Sequence, residues 1–178
     1  MCGTGAGGQI APADDLNPMT LILPLADEAA TAALAAKLAA RARPGDALLL
    51  EGPLGAGKSA FARAFLRAAS GDPGLEVPSP TFTLVQSYDL PAGDLPTGDL
   101  PTRPAFHFDL WRLDGPDGIE ELGWEEAREG ISLIEWPDRL GPLRPEDALT
   151  ITLAPGPTEH ARVATLTGWA GRLQGIEA

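Results

Sequence analysis

Cysteine is almost absent from this chain of 178 residues, in which Cys2 is the only one. A disulfide within the chain is therefore excluded, and so is a metal site built from several cysteines. Long apolar runs are missing too, since none approaches the roughly 20 residues that a membrane-spanning helix needs. Residues 1–17 have neither the basic start nor the apolar core of a signal peptide. These absences predict a cytoplasmic protein without a membrane partner.

Basic side chains are also scarce. The chain has 13 lysines and arginines against 25 aspartates and glutamates, which gives a formal net charge of −12. Binding along a nucleic-acid backbone requires a patch of basic side chains, and this charge balance disfavours such a patch. We therefore expect any link to nucleic acid to run through a partner protein. Lysine itself occurs only twice, as Lys37 and Lys58.

Glycine, in contrast, is concentrated around Lys58. Residues 52–59, GPLGAGKS, match the phosphate-loop pattern G-x-x-x-x-G-K-[ST] at every fixed position, with an apolar strand pattern before them and an amphipathic helix pattern after them. Glycines let several backbone N–H groups turn toward one phosphate, and the start of the following helix favours negative charge there. Lys58 would reach the β- and γ-phosphates, and the Ser59 hydroxyl would bind Mg²⁺. The chain is thus predicted to bind a nucleoside triphosphate through the loop residues Pro53, Leu54, Gly55, Ala56, Gly57, Lys58 and Ser59.

The length and composition predict one folded domain. We place a disordered tail at 1–18, a phosphate-loop domain at 19–168 and a C-terminal tail with a frayed helix at 169–178. A repeat, GDLPT at 93–97 and again at 98–102, lies within residues 91–104, which we interpret as an inserted, solvated hairpin loop. The predicted helices are 27–43, 59–70, 117–122 and 124–129. The predicted strands are 20–25, 47–51, 82–90, 105–110, 131–135, 149–153 and 161–166.

This order of elements predicts the fold class. Strands that alternate with helices favour a parallel sheet, and the last two strands, with a polar turn between them, favour an antiparallel pair. We therefore expect an α/β phosphate-loop NTPase fold, in which a single domain has a mixed sheet carrying antiparallel strands.

Two carboxylates close apolar strands and are candidates for the metal site. Asp109 ends the segment FHFD and Glu135 ends ISLIE, where a phosphate-loop enzyme places a second group for Mg²⁺. Either could instead be a helix cap or an exposed edge charge. Thr81, on an extended Ser-Pro-Thr loop, is where a switch residue would contact Mg²⁺ or the γ-phosphate, although a simple turn hydroxyl is the alternative.

Other polar or aromatic positions have simpler explanations. His107 alternates with its strand neighbours and is predicted to be a packed or hydrogen-bonded core histidine. His160 lies in a polar turn and is expected at the surface. Trp136 either packs in the core or shields the site and faces a partner. Arg112 and Arg139 are candidates for a phosphate contact, although arginines on helix surfaces are usually just solvated.

With these residues in place, the chain resembles the TsaE family, the ATPase component of bacterial tRNA threonylcarbamoyladenosine biosynthesis. The resemblance runs from about residue 21 to residue 166. It rests on four ordered blocks, GPLGAGKS (52–59), SPTFTLV (79–85), FHFDLWR (106–112) and LIEWP (133–137). It implies an ATPase that acts with partners of the TsaB and TsaD families, reaches tRNA indirectly through that complex and permits repeated turnover of the transferase.

The resemblance also implies roles for individual residues. The phosphate ligands would be Gly55, Gly57 and Lys58, and the Mg²⁺ ligands Ser59 and Glu135. Thr81 and Asp109 would have switch-like and metal- or water-directing roles, and Trp136 would lie beside the nucleotide. Asp27 or Glu28 would lie near the base. Two departures from the family pattern are Ser59, where threonine is commoner, and Trp111, where tyrosine is usual.

Two other functions remain open at this point. A small-molecule kinase on the same core would need an acceptor pocket and usually an arginine-bearing lid, and residues 114–130 offer only Arg128 for one. A nucleotide-gated interaction module would bind nucleotide without meaningful hydrolysis. The preference for ATP over GTP is also open, because no base-specific motif is visible.

Overall fold

The fold is described from a computed structural model that covers residues 20–92 and 102–177. The predicted tail at 1–18 and nearly all of the GDLPT repeat lie outside the described residues. These described residues form seven strands and three α-helices. The strands are β1 (Thr20–Leu25), β2 (Ala47–Glu51), β3 (Val85–Pro91), β4 (Thr102–Asp109), β5 (Ile131–Glu135), β6 (Leu149–Pro155) and β7 (Arg162–Thr167), and the helices are α1 (Glu28–Ala39), α2 (Lys58–Ser70) and α3 (Trp124–Glu129).

The strands form one mixed sheet in the order β1-β7-β6-β2-β5-β4-β3. The four central strands β6, β2, β5 and β4 are mutually parallel. The outer pairs β1–β7, β6–β7 and β3–β4 are antiparallel. The prediction of a single α/β unit with antiparallel strands in a mixed sheet is therefore confirmed.

Residues 47–50 of strand β2 are apolar because both faces of the sheet are covered there. Leu48 and Leu50 point into a core shared with α1 and α2, and Leu49 points into a second core on the opposite face. Phe61 and Phe65 fill the first core from α2, and Trp124 fills the second from α3. A strand buried on both sides is fixed in register, so the loop that follows β2 starts from a rigid position.

The first helix is shorter than predicted. Asp27 caps its N-terminus, where one carboxylate oxygen accepts the Ala30 N–H at 2.8 Å. The helix ends at Ala39 rather than at residue 43. Pro44 disfavours helical geometry at the residue before it, and the Asp46 carboxylate accepts the Arg43 N–H at 2.6 Å. These two effects turn the chain toward β2.

Strand β3 begins at Val85 and not at residue 82. Leu84 adopts a left-handed conformation with φ 64°, and its N–H donates to the Pro80 carbonyl at 2.6 Å. This turn interrupts the alternating pattern on which the longer strand was predicted. As a result Phe82 is 84% exposed.

Two predicted helices are replaced by tighter turns. Residues 117–122 form two short 3₁₀ helices, Pro116–Gly118 and Glu120–Leu122. The helix predicted within 169–178 is wrong, because the described part of that segment consists of consecutive turns. Its side chains Trp169, Leu173 and Ile176 are buried in the core that contains α1 and α2.

Among the described residues, no helix is long and apolar enough to cross a membrane.

Candidate functional site

The topology brings three sequence-distant segments to one edge of the sheet. Strands β2, β5 and β4 are adjacent and parallel, so their carboxyl ends meet. Strand β2 leads into the glycine-rich loop, β4 ends at Asp109 and β5 ends at Glu135. Asp109 and Glu135 are register partners across the β4–β5 pair. In open α/β sheets this edge is where ligands bind.

The glycine-rich loop has backbone conformations that suit glycine. Gly52, Gly55 and Gly57 have φ values of 136°, 77° and 103°. A Cβ atom on Gly52 would lie 2.3 Å from the Leu153 carbonyl oxygen, so the loop has no room for a side chain where it leaves β2. Gly57 is the N-cap of α2, and no side chain caps this helix start. Uncapped N–H groups at a helix start form a natural anion site.

Lys58 is 4% exposed, although it is charged. Its ammonium donates to the carbonyls of Gly52 at 2.8 Å and Pro53 at 2.9 Å, and it lies 3.9 Å from the centre of a Trp136 ring. Burial lowers the pKa of Lys58, and the negative charges of Glu135 and Asp109 partly oppose that shift. Lys58 lines the same cavity as both predicted carboxylates.

Glu135 is buried and both of its carboxylate oxygens have partners. One oxygen lies 2.9 Å from Nε2 of His107, and the other accepts the Ser59 hydroxyl at 3.0 Å. His107 is fully buried, which confirms the prediction of a hydrogen-bonded core histidine. No group of three His, Cys, Asp or Glu side chains is arranged as a metal cage in the described parts of the chain. The oxygen pair of Ser59 and Glu135 still fits Mg²⁺, which takes one or two protein ligands and fills its other positions with phosphate and water.

Thr81 and Asp109 contact each other directly. The Thr81 hydroxyl lies 2.8 Å from Oδ2 of Asp109 and 2.9 Å from the Ser79 hydroxyl. The other carboxylate oxygen of Asp109 accepts the Trp111 N–H at 3.1 Å. Asp109 is thus neither a helix cap nor an exposed edge charge, since it is buried between two loops of the site.

Two tryptophans lie at the mouth of the site. Trp136 has a left-handed backbone conformation with φ 60°, directly after β5. Its ring centre lies 4.4 Å from that of Trp111, with the planes tilted by 47°. Trp111 is 47% exposed, so this aromatic pair extends from the Lys58 ammonium to the surface.

These groups enclose a cavity of about 420 Å³. The structure brings together most of the residues predicted from the sequence, and the roles assigned to them remain predictions. Pro53 and Ala56 do not line the cavity. Asp27 and Glu28 line a neighbouring cavity of about 340 Å³, on the other side of Gly57. The lining of the larger cavity includes Leu54, Gly55, Gly57, Lys58, Ser59, Thr81, Asp109, Glu135 and Trp136, together with Ser79, Trp111 and Arg112.

Two residues near the site were not found by sequence reasoning. Ser79 precedes the predicted switch threonine by two positions, and its hydroxyl could have been included on that ground. Arg162 lies at the start of β7, and its side chain reaches the glycine-rich loop at Ala56. No local pattern marks Arg162, because only the antiparallel return of β7 beside β6 brings it to this loop.

In this sheet, the glycine-rich loop joins a buried parallel strand to a helix. This arrangement is that of a phosphate-loop α/β protein. A family model described as "Threonylcarbamoyl adenosine biosynthesis protein TsaE" matches residues 25–163, which is more than half of the chain. The chain therefore belongs to the TsaE family, as the four sequence blocks predicted.

Relatives in several bacteria carry the name tRNA threonylcarbamoyladenosine biosynthesis protein TsaE. The chain is 35% identical to the one of Rickettsia bellii, over 78% of this chain and 87% of that protein. It is 34% identical to the one of a Nostoc species, over 85% of this chain and 88% of that protein. Identity to the Rickettsia felis protein is 40%, but that match covers 65% of this chain and spans 61% of the relative.

The comparison with a solved structure supports the same fold. The crystal structure of Bacillus subtilis YdiB superposes with a TM-score of 0.64 and 28% sequence identity. The superposition covers 87% of this chain and 89% of that one. The likeness extends over almost the whole of both chains and is not confined to the loop.

Proposed function

We propose that this protein is a Mg²⁺-dependent ATPase of the cytoplasm that serves tRNA threonylcarbamoyladenosine biosynthesis. It would act with partners of the TsaB and TsaD families and permit repeated turnover of their transferase complex. The family assignment supports the pathway. The observation that carries the activity is the convergence of Lys58, Ser59, Thr81, Asp109 and Glu135 on one cavity beside the glycine-rich loop.

The glycine-rich loop and the start of α2 would bind phosphate. Backbone N–H groups at the start of α2 and the positive end of its dipole favour the negative charge of a triphosphate. Lys58 adds a full positive charge in a water-poor position, where a charge-assisted contact to phosphate is strong. These groups act mainly by positioning and by electrostatic stabilisation, which is what phosphoryl transfer requires.

Ser59 and Glu135 would hold Mg²⁺ with their oxygen atoms. When bound, the ion neutralises charge on the β- and γ-phosphates. The hydrogen bond from His107 fixes one Glu135 oxygen, so the carboxylate presents its other oxygen to the cavity beside Ser59. Thr81 and Asp109 face the same cavity as a hydrogen-bonded pair and would orient the attacking water.

We expect the intrinsic turnover to be low. Among the described residues, Arg112 is the one arginine that lines the cavity, and its Cζ lies 4.6 Å from the centre of the Phe82 ring. We therefore assign no arginine finger among the described residues. Ordering of the segment around Thr81 by the partner proteins would raise the rate.

Steady-state ATP hydrolysis tests this proposal, measured on the purified chain alone and then with TsaB- and TsaD-type partners. The expected result is a low basal rate that rises when both partners are present and that is lost in Glu135→Ala. GTP serves as the competing nucleotide. Glu126→Ala is the matched control, since Glu126 is an exposed glutamate of α3 that does not line the cavity.

The other outcomes discriminate between the remaining functions. ATP binding without hydrolysis under any condition would contradict the ATPase and favour a nucleotide-gated module. Hydrolysis at a rate that neither partner changes would contradict the proposed assembly. It would favour a kinase with a small-molecule acceptor. A rate that survives Glu135→Ala would remove Glu135 from the metal site.

A further inference from the structure

We propose that Arg162 is a positioning residue that clamps the phosphate loop to the β6–β7 hairpin. The proposal deepens the proposed function, because it concerns the loop to which nucleotide binding was assigned. The Arg162 guanidinium reaches the loop on one side, where Nε donates to the Ala56 carbonyl at 3.1 Å and Nη2 approaches the Gly55 carbonyl at 3.4 Å. On its other side, Nη1 donates to the hairpin carbonyls of Glu159 at 2.8 Å and Ala161 at 2.7 Å.

Arg162 lies behind the loop. The residues that line the cavity of about 420 Å³ do not include it. It lines instead two neighbouring cavities, one shared with Asp27 and Glu28 and one shared with Pro53 and Thr158. A side chain in this position acts on the cavity assigned to phosphate through the backbone of the loop.

The clamp determines the direction of a loop N–H group. The described chain has no cis peptide bond, and in a planar trans peptide the C=O and the N–H point in opposite directions. When Ala56 turns its carbonyl to Arg162, the N–H of Gly57 in the same peptide plane points away from Arg162. Gly57 lines the larger cavity with Lys58 and Ser59. Arg162 therefore helps to aim a backbone donor at the position assigned to phosphate.

The hairpin is a rigid anchor for this clamp. The Gly156 N–H donates to the Ala161 carbonyl at 2.9 Å, which closes the turn. A Cβ atom on Gly156 would lie 2.7 Å from that of Ala161, so the turn is tightly packed. The same hairpin also contacts the start of the loop, where Leu153 of β6 leaves no room for a side chain on Gly52. The β6–β7 hairpin thus restrains the loop at Gly52 and again at Ala56.

Arginine suits this role better than lysine. Its planar guanidinium presents donors on opposite sides of a fork, and here one side faces the loop and the other faces the hairpin. A lysine at this position would retain the positive charge, but its single nitrogen could not span both groups of carbonyls. Comparing the two side chains therefore separates the clamp from a simple effect of charge near the phosphate site.

The test uses Arg162→Met and Arg162→Lys in the full chain. Arg172→Met is the matched control, because Arg172 makes a similar fork to the Asp46 carboxylate at the opposite end of β2. Amide hydrogen exchange of residues 54–57 is measured without nucleotide, and the Kd for Mg²⁺-ATP is measured separately. In both Arg162 variants we expect loop exchange to quicken by about threefold or more, because the loop opens more often.

The same two variants should raise the Kd roughly three- to tenfold, which is the size expected when binding must order a few loop residues. The value of kcat should change less than the Kd, since the residues facing the cavity remain in place. Arg172→Met should reduce thermal stability without changing either quantity at the loop. A purely structural role for Arg162 would resemble this control and would not alter the Kd.

Three results would overturn the proposal. Unchanged exchange of residues 54–57 in Arg162→Met would mean that the loop is not clamped. Faster exchange with an unchanged Kd would mean that the clamp does not serve binding. Full activity and normal exchange in Arg162→Lys would mean that charge alone matters. If the unsubstituted chain fails to bind nucleotide, the proposed function is contradicted, and the exchange measurement alone decides whether Arg162 positions the loop.

Discussion

At the scale of single residues, the site depends on positions where a side chain is either impossible or unusually constrained. Gly52 adopts a backbone conformation that other residues rarely adopt, and it packs against a backbone carbonyl. Lys58 and Glu135 are charged side chains buried at one edge of the sheet. Such positions cost stability by themselves, and strained or buried polar positions tend to cluster at functional sites.

We predict that Gly52→Ala is strongly destabilising. The new Cβ would meet the Leu153 carbonyl at 2.3 Å, and it would sit on a residue with φ 136°. Backbone strain and the clash together should lower the free energy of unfolding by about 3 kcal/mol or more. Urea denaturation measures the loss. Gly71→Ala is the control, since Gly71 has φ 70° with nothing within 4 Å, and it should lose only about 1 kcal/mol.

Tyr88 gives a prediction with a pH dependence. Its hydroxyl is buried without a hydrogen-bond partner among the described residues, and burial raises the pKa of Tyr88 above its usual 10.0. Tyr88→Phe should therefore increase the free energy of unfolding at pH 7 by about 1 kcal/mol, because an unpaired buried hydroxyl is removed.

The advantage of Tyr88→Phe should grow above pH 10. There the unfolded tyrosine loses its proton while the folded one retains it, so ionisation favours unfolding of the unsubstituted protein only. Urea denaturation at pH 7 and at pH 10.5 measures both effects. A variant that is less stable than the unsubstituted protein at pH 7 would show that the hydroxyl has a partner.

At the scale of elements, the segment after β7 contributes to the core without regular structure. Trp169, Leu173 and Ile176 are each at most 5% exposed and belong to the core that contains α1 and α2. The segment is also joined to α1 by side-chain contacts, since the Lys37 ammonium donates to the Glu177 carbonyl at 2.5 Å. Burial against a helix therefore gives this segment a defined position without a helix of its own.

We predict that Leu173→Ala and Ile176→Ala each lower the free energy of unfolding by about 2–4 kcal/mol, the usual cost of a cavity in a packed core. Thermal or urea denaturation measures the loss. Ile22→Ala is the control on strand β1, because Ile22 is 65% exposed and its truncation should cost less than about 0.5 kcal/mol. Losses equal to that of the control would show that the segment does not pack on the core in solution.

At the scale of the whole molecule, the site and the core share the same central strands. Strands β2, β5 and β4 are neighbours in the parallel part of the sheet and also end at the proposed phosphate and metal residues. Ligand binding at that edge should therefore be linked to the cooperative unfolding of the entire unit. A ligand that binds only the folded state stabilises it in proportion to the logarithm of its free concentration.

We predict that Mg²⁺-ATP raises the free energy of unfolding by about 2.7 kcal/mol at a free concentration one hundred times its Kd. Thermal denaturation with and without nucleotide measures the shift. In Lys58→Ala the same concentration should give a much smaller shift, because a charge-assisted phosphate contact is lost. Repeating the titration with a chelator of Mg²⁺ tests the metal. An equal shift in Lys58→Ala would contradict the phosphate-loop assignment.

The sequence by itself determined the central elements and the identity of most site residues. Strands β2 and β5 are short apolar runs with turn-forming residues on either side. Their bounds in the structure are the same, to the residue, as the predicted ones. The glycine-rich loop could be recognised because its motif carries its own local geometry. Asp109 and Glu135 were found because each ends an apolar strand.

The tertiary structure alone decided how distant segments meet. Leu84 breaks the alternating pattern of residues 82–90 by a left-handed turn, a choice that depends on the Pro80 carbonyl and on the position of β4. Trp169, Leu173 and Ile176 are buried in the core that contains α1 and α2, and Arg162 reaches Ala56 because β7 returns antiparallel to β6. The local sequence pattern indicates only the conformation that a segment prefers by itself. These contacts instead involve residues far apart in the chain, and only the folded sheet brings such residues together.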